Sequence, residues 1–120
     1  MERLTEAEEK IMRYYWQHGP CLVSALIDKM PQPKPAHSTV STITRSLEAK
    51  GFLRHKTYGR THEYHVVIPQ SRYSRTRVGK VMDDFFESSP RELISFLIQD
   101  DQVDPEDLRR LLDDLENGKS

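Results

Sequence analysis

Between His37 and Phe52 the chain reads HSTVSTITRSLEAKGF, and its polar residues could do chemistry. Ser38, Thr39, Ser41 and Thr42 are short hydroxyls, and Arg45 is the single cation between them and Ala49. At about 100° per residue, Val40, Ile43 and Leu47 cluster on one side of a helix. Ser38, Thr42, Arg45 and Ala49 then fall on the far side, with Ser41 flanking. An ordinary solvated helix carries Glu and Lys there, and short side chains let a groove come close. Hydroxyls donate or accept at base edges and phosphates, a Thr methyl meets a thymine methyl, and Arg reaches guanine O6 and N7 in bidentate fashion. The first N–H groups of the helix favour phosphate. Lys34 precedes the stretch and Arg54, Lys56 and Arg60 follow it, as candidate phosphate contacts. The bland alternative is an exposed helix of middling propensity with scattered solvated charges.

The flanking elements decide between these. Thr5 followed by Glu8 is a capping box, and Ala7, Ile11, Met12, Tyr15 and Trp16 form an apolar helical stripe behind it. HGP at His18 to Pro20 stops that helix. A short second helix is expected over Leu22 to Met30, with Val23, Leu26 and Ile27 inward, until PQPKP breaks it. The hydroxyl-rich third helix ends at Gly51, a left-handed cap position. Two β-prone runs then flank Gly59-Arg60, which suits a type II′ hairpin. That loop sets Lys56 opposite Glu63 as a favourable pair and puts Leu53, Tyr64 and Val66 on an inner face. Beyond Pro69 the spacing predicts helices from Ser71 to Phe86, after Ser89-Pro90, and after Asp104-Pro105. The expected fold is mainly α with a small β-hairpin: a winged helix-turn-helix over 1–69 and a helical dimerisation region over 70–120. A winged helix can also be a pure protein-interaction module, so the element order alone does not fix the partner.

Charge is divided along the chain. From Met1 to Arg77 thirteen lysines and arginines face seven carboxylates, a balance of +6; from Val78 onward five face twelve, a balance of −7. The basic part suits a polyanion and the acidic part does not. The last three predicted helices carry apolar stripes that must be buried, either back on the chain's own core or against a second copy. They are Val78, Val81, Met82, Phe85 and Phe86; then Leu93 and Leu97; then Leu108, Leu111, Leu112 and Leu115. A twofold dimer buries them and sets two recognition helices about 34–36 Å apart, one DNA turn, or a multiple of it.

Other chemistries find little support. No run of about 18 apolar residues is present, no secretory h-region opens the chain, and the single Cys21 reads as a reducing, cytoplasmic setting. His62 and His65 lie three apart on a strand and point to opposite faces, while His55 and His62 lack a third ligand. No metal, cofactor or enzymatic motif is expected.

The runs LTEAEEKIMRYYW, STVSTITRSLEAKGFL and GRTHEYH resemble the BlaI/MecI penicillinase-repressor family, over nearly the whole chain from Leu4 onward. The resemblance implies a homodimeric bacterial repressor whose winged helix binds a palindromic double-stranded operator. It also implies a membrane metallopeptidase sensor that triggers cleavage in the C-terminal part. Relatives are cut at an Asn-Phe bond whose matching position here is about Phe96-Leu97. Many relatives carry an arginine one place after Arg45, where this chain has Ser46, so their operator does not transfer.

Overall fold

The computed structural model describes residues 1–100 and 103–116, excluding the side chains of 115 and 116. Its elements are α1 (Glu6–His18), α2 (Val23–Asp28), α3 (His37–Ala49), β1 (Leu53–Tyr58), β2 (Thr61–Val66), α4 (Gln70–Phe85), α5 (Pro90–Gln99) and α6 (Pro105–Glu116). Contacts divide the chain into Met1–Thr76 and Arg77–Ser120, so the boundary falls inside α4. Among the described residues no helix is long and apolar enough to cross a membrane.

In the first unit, α1 starts on the reciprocal cap foreseen from its sequence. Thr5 N donates to Glu8 Oε1 at 2.8 Å, and Glu8 N donates to Thr5 Oγ1 at 3.2 Å. α1 stops at Gly19, whose φ of 71° leaves the helical basin, and whose N–H returns to Tyr15 O. α2 is shorter than expected, six residues from Val23, with Leu22 extended before it. Pro31 disfavours helical backbone at Met30, and the Lys34 ammonium takes up the carbonyls of Ile27, Asp28 and Met30 at 3.1, 3.1 and 2.8 Å. Gly51 turns α3 into β1 at φ 85°.

The hairpin has the foreseen register, with Lys56 opposite Glu63 and Leu53 opposite Val66. Gly59 has φ 61° and Arg60 does not share it, as a Gly-first type II′ turn requires. The expected Lys56–Glu63 ion pair is not formed. Glu63 instead binds the ring of His65 at 2.7 Å, two places along its own strand, leaving Lys56 exposed and without an ion pair among the described residues. On the outward side of β2, Tyr64 exchanges both backbone hydrogen bonds with Cys21.

Met12, Tyr15, Leu26, Val40, Leu47 and Phe52 are wholly buried and form the core of this unit. Buried polar groups fix how α1 and α3 pack. Tyr15 and Thr44, both fully buried, share a hydroxyl hydrogen bond of 3.0 Å. Burial pushes the Tyr15 phenol up, so it stays neutral. The buried Glu8 carboxylate receives Ser46 Oγ at 2.5 Å and Lys50 Nζ at 2.7 Å, in addition to its own cap. Burial alone raises such a carboxyl; Lys50, Ser46 and the Thr5 groups overcome that and hold it at about 2. The start of α4 also belongs to this core. Tyr73 packs against Trp16 and Phe52, its hydroxyl accepting from Leu4 N and donating to Glu9.

In the second unit no residue of α5 is buried. Phe86 and Phe96 meet with ring centroids 5.3 Å apart. Val78, Val81, Phe85, Leu111 and Leu112 stay exposed, Phe85 at 76%. Met82, Phe86, Leu93, Leu97 and Leu108 are half-buried, and the Leu115 side chain lies outside the described residues.

Glu8 makes stability depend on pH. Its folded value, about 2, lies below its ordinary 4.5, so the stabilisation is complete above that ordinary value. It is lost as pH falls through the folded value. Glu8→Gln is expected to cost about 2–4 kcal/mol in urea unfolding at neutral pH and to flatten the acid limb of the wild-type curve. A variant that kept the acid limb would assign that limb to other carboxylates.

Candidate nucleic-acid interface

The outer face of α3 is built as its spacing foretold: Ser38, Thr42, Arg45 and Ala49 are exposed, Ser41 is half-buried, and Val40 and Leu47 are buried. Its hydroxyls are partly tied to the helix itself. Thr42 Oγ1 donates to Ser38 O at 2.9 Å and accepts from Arg45 Nη2 at 3.3 Å, so the guanidinium is steered from within the helix. Ser41 Oγ lies 3.2 Å from His37 Nδ1. Thr39 is exposed on the opposite flank, toward α1.

α1 and α5 each start on a side-chain cap, from Thr5 and Ser89, but α3 starts at Ala36 with none. Alanine at this position forgoes about 1 kcal/mol relative to Ser or Asp. It leaves the leading N–H groups of the helix without a side-chain acceptor, as an anion site needs.

On its other flank α3 forms a cleft with the start of α2 and with the wing. His37, Ser41 and Arg45 line one wall, and Arg60, Thr61 and His62 line the other. Two arginines 15 residues apart in sequence thus face one space, of about 270 Å³, and no carboxylate lines it. The Gly59 turn and the Thr61 Oγ1 bond to Tyr58 O at 2.7 Å set the tip that carries Arg60. Glu48 ties the end of α3 to β1: its carboxylate accepts from the His55 N–H at 2.9 Å and lies 2.7 Å from His55 Nδ1. The His55 ring stacks on His62 with centroids 4.3 Å apart. His62 of this stack lines the cleft; among the described residues no three His, Cys, Asp or Glu side chains cluster as a metal site would need.

Lys34, expected as a phosphate contact, is engaged within its own turn in this structure. Its ammonium closes the end of α2 through three backbone carbonyls, so its donors are engaged in the helix-turn-helix itself. His37 and His62 had not been singled out for this cleft, because nothing local in the sequence marks them. The start of α3 and the wing meet only in the fold. Ser46 turns inward to Glu8.

Three helices, the third with an exposed polar outer face, and a two-stranded antiparallel wing define a winged-helix DNA-binding fold followed by a helical region. The solution structure of the DNA binding domain of the repressor BlaI is similar, at 26% identity and a TM-score of 0.51, covering 61% of this chain and 94% of that one. The penicillinase repressor of Bacillus licheniformis is 23% identical over 119 residues, 98% of this chain and 93% of that protein. The family model described as penicillinase repressor matches residues 4–117, and the chain belongs to that family.

Lys34→Gln is expected to lower the free energy of urea unfolding by about 1 kcal/mol and to leave the salt dependence of DNA binding unchanged. A drop of about one unit in that salt slope would instead give Lys34 a phosphate.

Proposed function

We propose that this chain is a cytoplasmic, homodimeric repressor that binds a palindromic operator through α3 and the wing and is released by damage to its C-terminal helices. The observation that carries this reading is the carboxylate-free cleft shared by Arg45 and Arg60, beside a helix whose first turn lacks a side-chain cap. Arg45, steered by Thr42, reads a base; Ser38 and Ser41 contact base edges or phosphate, and Thr39 meets the backbone from its flank. Lys56 and Arg60 hold phosphates on the wing side, and Lys34 acts indirectly by fixing the turn before α3. Kinship with proteins named as penicillinase repressors supports repression as the outcome.

Dimerisation rests on the second unit. A helix pair that leaves Phe85, Leu111 and Leu112 exposed has apolar area for a second copy. Joining two weak DNA-binding units raises affinity through effective concentration, so parting the C-terminal helices releases DNA without touching Arg45. Family kinship suggests a membrane metallopeptidase as the trigger. The bond at Phe96-Leu97 lies within α5, with Phe96 exposed and its ring against Phe86. Cleavage there requires α5 to open first, because a protease binds extended backbone.

Duplexes selected from a random pool by the full chain provide the test. Arg45→Ala should lose about 1–3 kcal/mol on the selected duplex and less on random DNA, whereas Arg60→Ala should weaken both and reduce the salt slope by about one. Equal losses on both DNAs for Arg45→Ala would remove its base-reading role.

Phe85→Asp with Leu112→Asp should give a monomer in sedimentation and cost at least tenfold in operator affinity, about 1.4 kcal/mol or more. A dimer that survives both changes places the interface elsewhere.

A further inference from the structure

A second recess lies on the far flank of α3, between that helix, α1 and the loop over residues 31–35. Its volume, about 450 Å³, is in the range of small-molecule sites. Ile11 and Ile43 form apolar walls, and Pro31 and Pro35 make a stiff rim that needs little ordering when a ligand enters. The polar side chains are few. Lys10 brings an ammonium, Tyr14 and Thr39 bring hydroxyls, Gln32 brings a neutral amide, and no carboxylate lines the space. Lys10 makes no ion pair among the described residues, and Arg13 lies beside it in a shallower recess on α1.

We propose that this recess binds a small apolar monocarboxylate, with its hydrocarbon against Ile11 and Ile43 and its carboxylate on Lys10. The charge decides the class. A cation would meet an unpaired ammonium in a space without acid, and a neutral hydrocarbon would leave that ammonium unanswered. A dianion would find a single cation in the recess. A charge-assisted bond from Lys10, supplemented by a hydroxyl of Tyr14 or Thr39, supplies orientation, and the apolar walls supply most of the affinity. The site is separate from the DNA-facing cleft but shares α3 with it, since Thr39 and Ile43 border one and Ser41 and Arg45 the other.

The test is an amide-resolved NMR titration of the full chain with 1-naphthoate and with neutral 1-naphthamide, in the absence of DNA. Naphthoate should shift the amides of Ala7, Lys10, Thr39 and Ile43 saturably. The neutral amide, and naphthoate on Lys10→Gln, should each bind about tenfold more weakly. Ala7→Leu, at an exposed position on the rim, should narrow the recess and weaken naphthoate while the rest of the spectrum is kept. Equal affinity for both probes, indifference to Lys10→Gln, or shifts centred on Arg45 and Arg60 would overturn the assignment. Because no DNA is present, such a failure would leave the repressor reading untouched.

Discussion

One buried carboxylate holds α3 in place. Glu8 is 5% exposed and joins three things at once: the start of α1, the Ser46 hydroxyl near the end of α3, and the ammonium of Lys50, the residue that caps that end. A buried charge is tolerable only when its lone pairs are answered, and here they are. The same residue therefore caps one helix and sets the rotation of another. If α3 turned about its axis, Ser46 and Lys50 would leave Glu8, and Thr44 would leave Tyr15. The outward direction of Ser38, Thr42 and Arg45 is thus fixed from the inside by polar contacts, with apolar packing supplying the bulk of the stability.

The outer side of the same helix follows a different rule. Its hydroxyls bond to their own helix, its guanidinium leans on Thr42, and its N-terminus lacks a side-chain cap. Local stability is reduced where a duplex is proposed to restore it. Acidic groups on this side are tied away from the cleft: Glu48 is bound to His55, and Glu63 to His65. That leaves the space between Arg45 and Arg60 with a single sign of charge.

Much of this was legible in the sequence because it is periodic or local. The capping box at Thr5, the inward Val40 and Leu47, the Gly51 turn and the hairpin register all depend on neighbours a few residues away. What escaped depends on distance along the chain. Ser46 and Lys50 reach Glu8 across 38 and 42 residues, and Tyr73 reaches Leu4 across 69. Nothing local in the sequence marks Thr44 as buried, and only the facing Tyr15 phenol explains its burial. The Lys56–Glu63 pair shows the reverse case. The backbone register was readable, but a flexible carboxylate had a choice of partners and took His65. The cleft at the wing and the recess at Lys10 each need three segments brought together, so no local pattern announces them.

The Glu48–His55 contact has a consequence beyond holding the wing to α3. A two-stranded ribbon leaves unpaired amides along its rims, and such rims invite strands from other molecules. Cys21 covers the rim of β2, and Glu48 occupies the outward amide of β1 at His55, with Arg54 and Lys56 exposed on either side. A foreign strand seeking to extend the sheet would have to evict a carboxylate and bury two cations. The wing is thereby guarded against amyloid-like stacking even though it must protrude into solvent.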